Sequence, residues 1–153
     1  MSKRNKWHSS STGKAFEDRI CKELDELGIE YIREKIAHSK STAKTNRGKF
    51  DLIIGDLRLE LKTTQKKSLS YSIYSECEKN TNIKGHQVAA LYKEFFSRGK
   101  TAGLLLEYRP NKAIYVDIKD FMAWAIQTKA KSLNYANALL IGKEIEHIKE
   151  LIE

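Results

Sequence analysis

Three residues of the types that bind a metal ion and a phosphate lie close together in the sequence: Asp51, Glu60 and Lys62. They belong to the segment KFDLIIGDLRLELKTT, in which apolar residues alternate with other residues on both sides of Gly55-Asp56. Such alternation is typical of half-buried strands, and glycine at the first position of a two-residue loop favours a type II′ turn. The segment therefore predicts a β-hairpin whose register is set by the loop.

In that register Asp51 lies opposite Glu60, with Cβ atoms about 5 Å apart. Two facing carboxylates destabilise a sheet, so a cation is expected to balance them. Lys62 on the same face is one candidate, and Mg²⁺ is a better one because it prefers hard oxygen ligands. The alternative is a pair of ordinary salt bridges, Asp51–Arg58 and Glu60–Lys49. The other face of the hairpin is predicted to carry six apolar side chains: Phe50, Leu52, Ile54, Leu57, Leu59 and Leu61.

The composition is typical of a soluble globular protein, since 41% of the 153 residues are hydrophobic and 31% are charged. No apolar run approaches the ~20 residues of a membrane span, and the N-terminus lacks the apolar core of a secretory signal. We therefore expect a cytoplasmic protein with no membrane partner. The two cysteines, Cys21 and Cys77, form no CxxC pair and are predicted to be plain thiols.

The formal net charge of +8 favours a polyanionic partner, either nucleic acid or an anionic membrane surface. Between Lys35 and Lys49 the chain has five basic residues and no acidic residue. We predict a basic loop over 38–49, within a single domain over 13–153 that follows a basic flexible tail over 1–12. The candidate phosphate contacts are Lys40, Lys44, Arg47, Lys49, Lys66 and Lys67. A solvated basic surface without a partner would have the same composition.

Helical and strand patterns alternate along the chain. Helices are predicted over 11–28, 83–99, 119–128 and 135–152. Strands are predicted over 29–37, on both sides of the hairpin turn, and over 101–108 and 112–118, while 65–82 is left unassigned. The order αβββαββ plus C-terminal helices predicts an α/β fold, with a mixed central sheet flanked by helices.

Asp51 followed by Glu60-Leu61-Lys62 resembles the motif of the PD-(D/E)xK nuclease superfamily, an acidic residue on one strand and Glu-x-Lys on the next. Phe50 stands where that motif usually has proline. The segments GKAFEDRI and IKGHQVAALYKEFFSRGKTAGLLLEY resemble the first helix, the second helix and the following strand of RecU-type Holliday junction resolvases. The resemblance covers residues 13–124. The hairpin is shorter than in that family and also resembles that of archaeal-type resolvases.

The resemblance implies a restriction-endonuclease-like core and hydrolysis of a DNA phosphodiester with Mg²⁺ or Mn²⁺. It implies metal ligation by Asp51, Glu60, the Leu61 carbonyl and Glu17 of the first helix. Lys62 would orient the attacking water or offset charge in the transition state, and Gln87 would contact a metal-bound water or the phosphate. His86 is interpreted as a DNA contact. Glu17 could instead be an ordinary acid of a first helical turn.

The residues are compatible with three alternative functions. The first is a junction resolvase that acts on branched DNA as a symmetric homodimer, because a four-way junction presents two equivalent strands. The second is another PD-(D/E)xK nuclease, of restriction or repair type. The third is a non-catalytic DNA-binding module whose acidic cluster is structural. Tyr71 and Tyr74 are candidates for stacking on exposed bases, with core or rim packing as the alternative.

Overall fold

The computed structural model describes residues 8–33, 49–73, 81–110 and 112–152, with side chains from residue 13 onward. The predictions for Lys40, Lys44, Arg47, Tyr74 and Cys77 lie outside the described residues. Cys21 is buried, and burial raises the pKa of its thiol. Within the described ranges, no helix has both the length and the apolar character needed to cross a bilayer.

Helices and strands interleave along the described part of the chain. The helices are α1 (His8–Leu27), α2 (Gly85–Arg98), α3 (Ile118–Thr128), α4 (Tyr135–Ile141) and α5 (Lys149–Ile152). The strands are β1 (Ile32–Arg33), β2 (Leu52–Ile54), β3 (Leu57–Thr63), β4 (Ser68–Ser70), β5 (Thr101–Arg109), β6 (Lys112–Asp117), β7 (Ser132–Asn134) and β8 (Lys143–Ile145). α1 thus begins inside the segment predicted as a tail.

Six strands form one mixed sheet in the order β1-β2-β3-β5-β6-β8. β3 and β5 are parallel and are connected through α2, whereas the other neighbouring strands are antiparallel. β5, which the run TAGLLLEY predicts, lies inside the sheet with consecutive buried residues from Ala102 to Glu107. The predicted mixed sheet flanked by helices is confirmed.

Helices pack on both faces of this sheet around two separate core clusters. The α2 cluster joins α2 and α3 to the sheet and includes Val88, Leu91, Leu104, Leu106 and Phe121. The α1 cluster joins α1 and the C-terminal segment to the sheet and includes Phe16, Leu24, Leu59, Leu61 and Ile148. Successive residues of a strand point to opposite faces, so Glu60, between Leu59 and Leu61, faces the α2 layer.

The hairpin of β2 and β3 has the predicted register. Leu52 is aligned with Leu59, and Ile54 with Leu57. Of the two loop residues only Gly55 has a positive φ, 58°, which fits the predicted type II′ turn and excludes type I′. Local turn chemistry therefore sets the alignment of β2 with β3.

The prediction that Phe50 shares a face with the hairpin leucines is wrong. Phe50 packs in the α2 cluster, whereas Leu52 packs in the α1 cluster. The backbone amide of Asp51 donates to the Leu59 carbonyl at 3.0 Å, although Leu59 is aligned with Leu52. Asp51 and Leu52 therefore both oppose Leu59, which is the arrangement of a β-bulge, and the prediction that Asp51 lies directly opposite Glu60 is wrong. A bulge reverses the alternation of the side chains that precede it.

The prediction of one helix over 135–152 is also wrong. α4 ends at Ile141, and β8 follows and pairs with β6, with Lys143 aligned with Tyr115. Gly142 permits this close approach, since a Cβ at that position would lie 2.5 Å from the Tyr115 carbonyl oxygen. Pairing with the sheet thus replaces helical hydrogen bonding at this point. β4 and β7, which the sequence left unassigned, form a separate two-stranded sheet.

Candidate active site

Two buried carboxylates lie at the bulged end of the hairpin. The exposed fraction is 6% for Asp51 and 1% for Glu60. Oδ2 of Asp51 accepts a hydrogen bond of 2.7 Å from the backbone amide of Leu61. That amide belongs to the peptide bond that follows Glu60, so the Asp51 carboxylate lies against the chain at Glu60-Leu61.

Glu60 is contacted by side chains from two elements. Gln87, in the first turn of α2, donates from Nε2 to Oε2 of Glu60 at 2.8 Å. Lys62 Nζ lies 3.9 Å from the same Glu60 oxygen. The other end of the Gln87 amide is held as well, because its Oε1 accepts from the backbone amide of Lys84 at 3.0 Å. The structure therefore brings together three predicted site residues, Glu60, Lys62 and Gln87, and holds the Asp51 carboxylate against the backbone that follows Glu60.

A second contact between α2 and β3 supports this arrangement. Arg58 Nε lies 3.2 Å from Oε1 of Glu94, which is only 6% exposed. Arg58 and Glu60 are two residues apart on one strand, and Gln87 and Glu94 are seven residues apart on one helix, so each pair shares a face. The helix is thus tied to the strand at two points, one of which is Glu60 itself.

Glu17 is engaged in a different contact. Its Oε1 accepts from Arg33 Nε at 2.6 Å, which joins α1 to β1. The same guanidinium donates to Asp18 at 2.7 Å, and this hydrogen bond lowers the pKa of Asp18. The structure places Glu17 beside Arg33, and its predicted role as a metal ligand stays a prediction.

The donor set at Asp51 and Glu60 fits a cation of the Mg²⁺ type. Mg²⁺ in proteins is commonly held by one or two carboxylates, with water and substrate phosphate completing its octahedron. A cation would also offset the cost of burying two like charges close together. Over the described ranges, no three His, Cys, Asp or Glu side chains form a group that could hold a metal ion, and Asp51 and Glu60 supply two carboxylates.

The predicted DNA contacts that the structure describes are all exposed: Lys49, Lys66, Lys67 and His86. β3 ends at Thr63, and Lys66 and Lys67 lie in the bend that follows it. Their role in DNA binding stays a prediction. Tyr71 is buried, with its ring centroid 5.0 Å from that of Phe121, which favours core packing over base stacking.

Sequence reasoning did not single out two buried acids, Glu94 and Glu107. Glu107, on β5, forms an ion pair with Arg19 of α1 and accepts from Thr63 Oγ1 at 3.1 Å. The seven-residue spacing of Gln87 and Glu94 on a predicted helix could have indicated that Glu94 lies on the same face as Gln87. Nothing local marks Glu107, because its partners are distant in the sequence.

A groove of about 550 Å³ lies between α1 and the C-terminal segment, and Asp51 and Glu60 are not among its lining residues. Its walls include Phe16, Ile20, Ile145 and Ile148, together with charged residues of both signs. None of the predicted catalytic or DNA-binding residues lines it.

Comparison with known proteins identifies the fold. No protein-family model and no curated protein matches the chain. The structure is similar to that of Hjc, a Holliday junction resolvase from the archaeal hyperthermophile Archaeoglobus fulgidus, with a TM-score of 0.55 and 18% sequence identity. The alignment covers 88% of this chain and 97% of the resolvase chain. The protein thus has the mixed α/β, restriction-endonuclease-like fold of that resolvase, as the sequence predicts.

Proposed function

We propose that the protein is a metal-dependent endonuclease that hydrolyses DNA phosphodiester bonds and resolves four-way junctions. The observation that carries this proposal is the buried pair Asp51 and Glu60, with Lys62 beside it, at the bulged end of the hairpin. The fold shared with a solved junction resolvase supports the same proposal. The likeness is to an archaeal-type enzyme. We propose in addition that the protein belongs to the RecU-type family.

The carboxylates of Asp51 and Glu60, with the Leu61 carbonyl, would hold Mg²⁺ or Mn²⁺. A bound Mg²⁺ supplies positive charge that polarises a phosphodiester and makes a nearby water more acidic. Gln87 fixes the Glu60 carboxylate through its 2.8 Å hydrogen bond. Lys62 keeps a positive charge 3.9 Å from Glu60, where it can donate to the attacking water or to the pentacovalent phosphate. Glu17 would release its hydrogen bond with Arg33 and ligate the metal from the side of the site.

The proposed substrate is branched DNA, bound by a homodimer in the cytoplasm. The net charge of +8 attracts the phosphate backbone. The exposed side chains of Lys49, Lys66, Lys67 and His86 would contact that backbone without reading base sequence. A twofold dimer would present two equivalent sites to the two strands that must be cut.

Cleavage by wild type, Asp51→Asn and Asp56→Asn tests the chemistry. Asp56 is a matched control because it lies in the same hairpin but is exposed, in the turn. With Mg²⁺ we expect wild type and Asp56→Asn to nick a labelled four-way junction at similar rates. Asp51→Asn should be slower by at least about 100-fold. Equal rates for Asp51→Asn and wild type would overturn the assignment of the site.

Comparison of a four-way junction with a linear duplex, at one salt concentration, tests the substrate. Preferential nicking of the junction supports a resolvase. Equal cutting of both substrates would indicate a nuclease of restriction or repair type. Binding without cleavage of either would indicate a non-catalytic module.

A further inference from the structure

The two strands of the small sheet arise from similar sequences. β4 belongs to TQKKSLS, residues 64–70, and β7 belongs to TKAKSLN, residues 128–134. The two segments match at the threonine, the second lysine, the serine and the leucine. They pair antiparallel, with Ser68 aligned with Asn134 and Ser70 with Ser132. We call this unit the β4–β7 ribbon.

The likeness of the two segments extends to their local structure. Thr64 Oγ1 accepts from the backbone amide two residues ahead at 3.0 Å, and Thr128 Oγ1 does the same at 3.3 Å. Leu69 and Leu133 face each other at the centre of the pairing, and both are fully buried. Antiparallel pairing of two such similar segments gives the ribbon an approximate local twofold axis. Equivalent residues therefore lie at its opposite ends.

The ribbon is flanked by positive charge. The exposed lysines are Lys66, Lys67, Lys129 and Lys131. Neither segment contains an acidic residue, and no ion pair joins any of these lysines to a carboxylate among the described residues. Within the described ranges this positive charge has no carboxylate partner, so it favours an anionic ligand over an apolar one, and DNA is the polyanion of the proposed function.

Lys129 has an unusual backbone conformation. Its φ is 58°, and within the described ranges it is the only residue other than glycine with a positive φ. It ends α3 in a left-handed conformation, a position that glycine occupies at the ends of α1 and α2. The helix dipole favours a cation there, but a Cβ in this conformation is strained. A strained lysine beside the ribbon is a feature that points to a role for its charge.

The ribbon adjoins the candidate active site through both elements that hold Glu60. β3 leads through residues 64–67 directly into β4. After β4, Tyr71 forms a bridge with Ile83, two residues before α2 begins. A DNA strand that reaches Glu60 would therefore pass close to the ribbon.

We propose that the β4–β7 ribbon is a second DNA-binding surface, which binds the phosphate backbone of a duplex arm beside the active site. This inference rests on the proposed function and adds Lys129 and Lys131 to the DNA contacts. Lys67 and Lys131, each directly before a strand, are its two equivalent contacts. In the pairing register they are four residues apart along the ribbon, or about 13 Å. One duplex arm can contact both, because its phosphates are spaced far more closely.

Equilibrium binding to a fluorescent four-way junction and to a linear duplex tests the proposal. The titrations are done in EDTA, so that no DNA is cut, over a series of salt concentrations. The variants are Lys67→Gln, Lys131→Gln and the control Lys149→Gln, an exposed lysine of α5 next to Ile148 of the α1 cluster. Thermal unfolding confirms that each variant is folded.

We expect Lys67→Gln and Lys131→Gln each to weaken binding several-fold on both DNAs and to reduce the slope of log affinity against log salt by about 1. Lys149→Gln should match wild type, and Lys131→Arg should restore the slope. A Lys131→Gln variant that behaves like Lys149→Gln would overturn the proposal, even where Lys67→Gln is impaired.

Failure of this inference can be told apart from failure of the proposed function. If wild type nicks junctions and Asp51→Asn does not, the nuclease proposal stands whatever Lys131→Gln does. If wild type binds neither DNA, both proposals fail. If wild type binds and Lys131→Gln has an unchanged salt slope, only the ribbon proposal fails.

Discussion

Gln87 links the sequence motif to the fold, because its amide bridges the start of α2 and the buried Glu60. We expect Gln87→Leu to destabilise the protein by about 1–3 kcal/mol, since a buried carboxylate loses a donor. The Glu60 carboxylate would also lose the hydrogen bond that orients it as a proposed metal ligand. The Mg²⁺ concentration for half-maximal nicking should therefore rise by about 10-fold or more. A Mg²⁺ titration of junction nicking, beside denaturant unfolding, measures both effects.

The matched control for this change is Gln127→Leu, which removes an exposed amide of α3. Both its stability and its Mg²⁺ requirement should equal those of wild type. If Gln87→Leu loses stability but keeps the wild-type Mg²⁺ requirement, Gln87 supports the fold alone and does not position Glu60.

The residues of the candidate site differ in how far the sequence could predict them. Local alternation and the two-residue turn correctly align Leu52 with Leu59, because those features act over a few residues. They do not predict the bulge that sets Asp51 opposite Leu59 and brings its carboxylate to the Leu61 amide. Gln87 could be predicted as a site residue only through the family resemblance. That resemblance implies a contact with the phosphate or a metal-bound water rather than with Glu60. The ion pairs Arg58–Glu94 and Arg33–Glu17 join residues 36 and 16 positions apart, and no local pattern encodes such contacts.

At the scale of elements, the errors occur where tertiary contacts override local patterns. The bulge at Asp51 reverses the side of Phe50, and it coincides with the hydrogen bond from Leu61 to the Asp51 carboxylate. β8 interrupts a helical pattern because the sheet offers an open edge at β6 and Gly142 lets the chain reach it. The helices α1, α2 and α3 were predictable from apolar periodicity and terminal signals, except that α1 begins at His8, before the predicted start.

Gly142→Ala tests the explanation for the C-terminal segment. The added methyl group would lie 2.5 Å from the Tyr115 carbonyl oxygen, so β8 must shift away from β6. We expect the free energy of unfolding to fall by about 1–3 kcal/mol in denaturant titrations. Gly13→Ala is the control, because a Cβ there meets nothing within 4 Å inside α1. Its stability should be unchanged or higher by up to about 1 kcal/mol. Equal stability for Gly142→Ala and wild type would show that β8 does not depend on that close approach.

At the scale of the whole molecule, the chain divides into two layers with different contents. The α2 layer contains Gln87, and the β4–β7 ribbon packs in the α2 cluster through Leu69 and Leu133. The α1 layer contains the C-terminal segment and the groove of mixed charge. The proposed DNA-facing elements thus lie together on one side of the sheet. A protein with one such side requires two copies to act on two equivalent strands, which is the physical basis for the proposed dimer.

Mixed dimers of wild type and Asp51→Asn test that requirement. Equal amounts are either refolded together or refolded separately and then mixed, and each sample is given a plasmid with an extruded cruciform. Refolding together should place one inactive site in about half of the dimers. Because a mixed dimer cuts a single strand, this sample should yield more nicked circle and less linear plasmid in one turnover. Separately refolded dimers should yield mainly linear plasmid. A monomeric enzyme would give the same ratio of nicked to linear product in both samples, and that result would contradict the dimer.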